Sequence, residues 1–395
     1  MKKLLLSGAA AAALAFASTP AMASSDGVID LEVGGFFKAY GVFADHDDDF
    51  GGVGVGADRR SFDLRRSGLI SFSGESTLDN GLTVGAVIEM ETEGGTNNAN
   101  LFDDNDTMFE ESYIYFSGGW GRFNFGNEDG AGYLLQVAAP SADDNIDGVR
   151  QDISSFNYID PTATTPVLGA AGSQVAFRLD YDMDMGWGDE KLTYLTPKFN
   201  GFQAGVSYAP EVFAADGVNS AVSGMDLDNE AGDYEHGLEI AARWDGEFED
   251  VAIALGAGYA HASEENGTPG TTDDWQQWNA AFDLGFQAFG LGAAYHETNN
   301  GLATNGDTTT WVVGVDWENG PYTLGLSYLD REDEATAAGI AGFGGETDHT
   351  RITGGGSYAY GPGMSFRGSV SWVNQDDTVV DEDAYQVAIG TDISF

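Results

Sequence analysis

Four carboxylates, Asp143, Asp144, Asp147 and Asp152, crowd one stretch of a chain in which Lys and Arg are scarce. Set opposite basic groups in a confined aqueous space, such a run makes a transverse field, which orders water and favours polar over apolar solutes. The basic candidates are Lys38, Arg65, Arg243, Arg351 and Arg367, with the phenol of Tyr40 close to Lys38 in sequence. Other chemistry is thinly represented. Asp45, Asp47 and Asp49 imitate the start of a calcium loop, but the EF-hand positions that need Gly and Glu hold Phe50 and Gly56. What remains is loose calcium or magnesium binding there and by acidic groups such as Asp103, Asp104, Asp106, Asp226, Asp228 and Glu230. The histidines (His46, His236, His261, His296 and His349) lack zinc-type spacing, and no nucleophile elbow marks a hydrolase. The glycine run 51–56 leads into charged residues and not a helix, so it is no phosphate cradle.

Composition narrows the classes further. With no Cys, disulfide scaffolds, thiolate metal sites and thiol catalysis are excluded. Lys and Arg number 16 against 64 Asp and Glu, a formal net charge of −48, which repels nucleic-acid phosphates. The chain is nevertheless 42% hydrophobic and 12% aromatic, enough to bury surface and to argue against disorder. With 56 Gly and 9 Pro in 395 residues, the balance points to strands and tight turns.

The elements that must carry the charged groups alternate with a period of two. Tyr385, Val387, Ile389, Ile393 and Phe395 share one parity, against Gln386, Ala388, Gly390, Asp392 and Ser394. Trp311, Val313, Val315 and Trp317 repeat the pattern, as do Tyr322, Leu324, Leu326 and Tyr328. One face of each strand is therefore greasy and the other small or polar. Strands are expected near 31–44, 62–77, 82–93, 108–118, 121–127, 189–199, 202–210, 235–247, 250–262, 275–287, 289–298, 308–318, 321–331, 348–360, 363–374 and 383–395. Connections are alternately short (Asn200-Gly201, Asn319-Gly320) and long. That asymmetry implies an all-β, antiparallel up-and-down transmembrane barrel of sixteen strands, with eighteen as the next count. Residues 175–185 could form another strand, but an odd count would invert every later turn, so they are assigned to the long third loop, residues 128–188.

Greasy residues facing lipid place Lys38, Tyr40, Arg65, Arg243, Arg351 and Arg367 toward the lumen, whereas Arg66 shares the lipid parity. Sixteen strands enclose an aqueous channel that wall side chains alone do not fill, and a long loop folded inward would narrow it. The function expected is passive diffusion of ions and small hydrophilic solutes, without a chemical step, with third-loop carboxylates facing basic wall residues. A sugar-specific channel is the alternative. At the N-terminus, Lys2 and Lys3, an apolar run from Leu4 to Ala17 and the small residues Ala21 and Ala23 read as a secretory signal of residues 1–23, leaving 24–395 as the barrel.

The segment Gly118-Gly119-Trp120-Gly121-Arg122-Phe123-Asn124-Phe125-Gly126-Asn127 resembles the strand-to-third-loop junction of Gram-negative general diffusion porins. Tyr194-Leu195-Thr196-Pro197-Lys198-Phe199-Asn200-Gly201-Phe202-Gln203, followed by Ser207-Tyr208-Ala209-Pro210, is similar to the next hairpin of the alphaproteobacterial branch. Lys38-Ala39-Tyr40-Gly41 and the terminal Phe395 fit the same family. The resemblance covers essentially all of 24–395. It implies a homotrimer in the outer membrane of a Gram-negative bacterium, among lipid and lipopolysaccharide, with the third loop folded into the pore. It also implies that the last strand, ending in Phe395, is read by the barrel assembly machinery. Where that family usually carries Arg after the junction glycine, this chain has Asn127.

Overall fold

A computed structural model describes residues 29–46, 60–91, 109–153, 179–186, 189–212, 234–267, 272–304, 306–334, 346–377 and 381–395. Sixteen strands run in chain order: β1 (Asp30–His46), β2 (Phe62–Thr77), β3 (Thr83–Glu91), β4 (Phe109–Gly118), β5 (Gly121–Asn127), β6 (Glu190–Leu195), β7 (Phe202–Val212) and β8 (Tyr234–Phe248). They continue as β9 (Val251–Glu264), β10 (Trp275–Phe286), β11 (Phe289–Thr298), β12 (Thr308–Asn319), β13 (Tyr322–Asp333), β14 (Thr347–Gly361), β15 (Met364–Asp377) and β16 (Asp381–Ser394). Each strand pairs antiparallel with its neighbours in sequence, and β16 returns to β1 to close the barrel. At the seam Lys38 lies opposite Asp392 and Phe43 opposite Val387, and Gly35 and Phe395 exchange two backbone hydrogen bonds of 3.0 Å. A closed sheet has no edge, so every ladder group finds a partner without water.

The expected strands are all present, most within two or three residues of the reading; β6 ends at Leu195, four residues earlier, and residues 92–93 lie outside the described part. Leu179–Met185 is not a strand: it belongs to the connection between β5 and β6, as the turn parity required. Short turns use the expected chemistry, Asn200 (φ 50°) and Gly201 (φ 84°) taking the left-handed conformations of a primed hairpin.

The alternation resolves into an apolar exterior. Val387, Leu324 and Phe366 are 40%, 56% and 46% exposed, while Gln386, Ser327 and Ser369 on the other parity are buried. In a water-soluble sandwich that order would be reversed. Aromatic side chains sit at both ends of this outer surface. Toward the long connections Trp278, Tyr295 and Trp311 lie side by side across β10–β12, tilted or edge-on to one another, with centroids 4.8 and 4.4 Å apart. Toward the short turns Trp120, Phe123 and Tyr194 cluster, as do Tyr322 and Tyr358. Six residues of strand separate Trp311 from Trp317, roughly 20 Å, matching two interfacial belts flanking an apolar band. Among the described residues no helix is long and apolar enough to cross a membrane.

Candidate functional site

The connection after β5 runs back against the inner wall. Two short helical turns punctuate it, α1 (Ala131–Leu134) and α2 (Asp144–Asp147). Its first limb, 128–153, and its returning limb, 179–186, bind each other: Tyr181 N donates to Val149 O (3.1 Å), Gln136 Nε2 to Tyr181 O (2.8 Å), and Met183 N to Gln136 Oε1 (2.9 Å). Arg150 sits at the centre. Its guanidinium pairs with Asp182 and Asp184 at 2.9 Å and Asp129 at 3.5 Å, and lies 4.2 Å from the centroid of the Tyr133 ring. Lys191 on β6 laces the root, donating from Nζ to the backbone oxygens of Glu128, Gly186 and Asp189.

Apolar contacts hold the loop to the wall. Tyr133, Ala139, Val149, Leu179 and Tyr181 pack on Ala294, Val312, Leu329, Val373 and Ala384 of β11, β12, β13, β15 and β16. Met183 and Met185 pack on β7–β9, and Ile146 and Ile153 on Tyr40, Val42 and Ala388. Each fully buried Leu, Ile or Met contributes about 1.5–3 kcal/mol. The lumen parity is thus partly apolar where the loop covers it, and this part of the wall departs from a simple small-or-polar reading. Close approach is made possible by glycine. A Cβ on Gly314 would collide with the Pro140 carbonyl oxygen, and one on Gly325 with that of Ser141.

The sequence-named charges meet in direct contact. Lys38 Nζ pairs with Asp152. Arg367 Nη1 reaches Asp143 (3.2 Å) and also pairs with Asp144, while its Nη2 lies 3.3 Å from Asp392. Tyr40 donates to Asp143 Oδ2 (3.0 Å) and accepts from Asn145 Nδ2 (2.9 Å). Arg351 is buried and donates to Ile146 O at 3.3 Å. Arg243 braces the start of the first limb, donating to Gln136 O (3.0 Å) and pairing with Asp245 (2.9 Å). Asp147 turns back on its own loop, accepting from Ala142 N and Asp143 N, and also accepts from Ser327 Oγ on the wall. Arg65 pairs with Asp63 at 3.4 Å on β2, apart from these contacts. Arg66 is exposed on the outer parity, as expected. Burial pushes the Asp143 carboxyl up to about 6 against the pull of Arg367, and burial likewise raises Asp147.

Asp45 lies on β1, but Asp47 and Asp49, and the acidic groups at 103–106 and 226–230, lie outside the described residues. The described acidic group whose ligand atoms converge is a different one, Glu332, Glu346 and Asp348, at the junction of β13 and β14 with their outer connection. Sequence reasoning missed Arg150, Lys191, Glu239 and Arg331. Glu239 accepts from Gly132 N at 2.9 Å, and Arg331 pairs with Asp333 at 2.9 Å. A signal existed for the first: Arg150 stands isolated among the loop's carboxylates.

A closed barrel, greasy outside and carrying a charged loop on its inner wall, defines a membrane channel of the bacterial outer membrane. Residues 9–378 match the Gram-negative porin family, and the chain belongs to it. No curated protein sequence gives a match. Among solved structures it is similar to an anion-selective porin from Comamonas acidovorans, with 16% identity, a TM-score of 0.59, and coverage of 93% of this chain and 100% of that one. It is also similar to a mutant porin of Rhodopseudomonas blastica (18%, TM-score 0.52, 93% and 100%) and to Salmonella typhi OmpF in complex with daunomycin (15%, 0.56, 92% and 97%). At such identities the likeness is one of fold. Family and fold together make this chain a passive diffusion pore of the outer membrane.

Proposed function

We propose that residues 128–188 form the constriction of this pore, and that ions and small hydrophilic solutes pass between the loop and the wall to which it is not bound. The observation that carries the reading is the set of contacts from Lys38, Arg243, Arg351 and Arg367 to the loop, which hold it across the lumen. Charge on both sides of the remaining passage then sorts solutes by size and polarity, with no chemical step. Residues 1–23 serve as the export signal, the working unit is a homotrimer surrounded by lipid and lipopolysaccharide, and the strand ending at Phe395 is presented to the assembly machinery. Outer-loop carboxylates hold calcium or magnesium loosely.

Planar-bilayer recording of the detergent-purified protein tests this. Conductance in groups of three equal steps is the expected result, and deletion of 131–153 enlarges each step. Protein that inserts without conducting, or a deletion that leaves conductance unchanged, refutes the constriction. A sugar-specific channel would need aromatics along the passage, but Tyr40 is buried beneath the loop and Tyr133 and Tyr181 are buried within it. Saturable sugar block of the current would favour that second reading.

A further inference from the structure

The strand register sets a polar band side by side on the inner wall: Asn279 (β10), His296 (β11), Thr310 (β12), Arg331 (β13), His349 (β14) and Gln375 (β15). It lies one inward-facing position closer to the long connections than Ala294, Val312 and Leu329, on which the loop packs. Apart from the half-buried Arg331, every member is buried although it faces the lumen. The cover is the loop's returning limb, whose Asp182 faces both His296 and Arg331.

The two histidines of this band sit in opposite surroundings. His349 Nδ1 lies 3.6 Å from Asp333, a carboxylate ready to balance an imidazolium. His296 has no such neighbour. Its Nε2 is buried without a hydrogen-bond partner, and from its flanking strands only the neutral Asn279 and Thr310 face it. The charged groups that face it are Arg331, a cation, and Asp182, which is already paired with Arg150 at 2.9 Å. A neutral imidazole is tolerated in this place. An imidazolium would hold an N–H without an acceptor and a charge without water, beside another cation.

We propose that His296 is a proton-operated latch: neutral, it lets the limb 179–186 lie against β11–β13, and protonated, it lifts that limb and widens the passage. The proposal rests on the constriction reading above. Two states differ in what surrounds one imidazole. With the limb down the ring is enclosed; with the limb raised it meets water and takes a proton in the ordinary histidine range, near pH ~6.5. The limb is therefore undisturbed above that range and loosened as pH falls below it, because only the raised state binds the proton readily. His296 stands near the outer end of β11, two residues before its long connection, so the proton comes from the external side. Asp143 on the first limb, pushed up to about 6, answers the same acid with the opposite sign, so the decisive comparison is with variants that retain it.

The test is single-channel recording of the full-length mature protein in planar bilayers at pH about 7.5 and about 4.5, on either side of the ordinary imidazole range. Each pKa unit of difference between the two states changes the population of the raised state about tenfold. Relative to H296Q, wild-type pores gain about tenfold or more in the time spent at a larger conductance level on acidification, and H349Q behaves as the wild type does. Should H296Q fail to insert, H296N serves in its place. An acid response identical in the wild type, H296Q and H296N overturns the latch, as does a response abolished by H349Q and kept by H296Q. Deletion of 131–153 without change in conductance would instead overturn the constriction reading on which the latch stands.

Discussion

Arg150 concentrates the loop's stability in one side chain. It is enclosed by Asp129, Asp182 and Asp184, so Arg150→Ala leaves three carboxylates facing one another without the guanidinium they share. Breaking a buried pair by removing one partner costs about 3–5 kcal/mol. The barrel, held by its own ladders, stays closed while the loop comes loose. Expected outcomes are faster proteolysis within the loop and larger, noisier single-channel currents, and unchanged proteolysis would contradict the assignment. Asp143 gives a pH dependence. Its carboxyl moves from an ordinary 3.8 to about 6, so the folded state holds this proton more tightly than the unfolded chain does. The stability it contributes is present at acid pH and falls as pH rises across that window. Melting temperatures in detergent from pH about 4 to about 6 should show this slope, and D143N, which does not titrate there, should lose that part of it.

At the scale of elements, the glycines beneath the loop control its depth. Gly314→Val on β12 or Gly325→Leu on β13 drives a side chain into the backbone at Pro140 or Ser141. Such overpacking typically costs about 1–3 kcal/mol. Either variant is expected to change conductance while leaving the barrel's heat resistance in detergent nearly intact, because the inner parity is not part of the ladder. The strands themselves were legible from sequence. Their signal is local: Trp311, Val313 and Val315 announce the outer face of β12 without knowledge of any partner. The loop was legible in length and charge but not in its bonds. Nothing in the sequence near Asp143 says that Arg367, more than two hundred residues away, will touch it. Nor does local pattern distinguish carboxylates that face a cation across water from those bonded to it. Inward glycines on β11–β13 were a readable hint, since Gly292, Gly314 and Gly325 leave room on neighbouring strands that only a covering segment would use.

Over the whole molecule, the excess of 64 acidic over 16 basic residues is spent unevenly. Lys38 and Arg367 of the lumen are matched by the loop, while acid gathers at the rim near Glu332, Glu346 and Asp348. The seam is a second global feature. Removing Phe395 deletes both backbone bonds with Gly35, each worth about 1 kcal/mol, and is expected to lower the temperature at which the barrel opens on a semi-native gel. The loop also has a mechanical role there. Asp152 grips Lys38 on β1 while Asp143 and Asp144 grip Arg367 on β15, so one inner segment spans the junction that β16 makes between the two ends of the chain. The joint where the two ends of the chain meet therefore carries an internal hasp, and a pore with its hasp cut would lose the clasp that ties its first strand to its last hairpin.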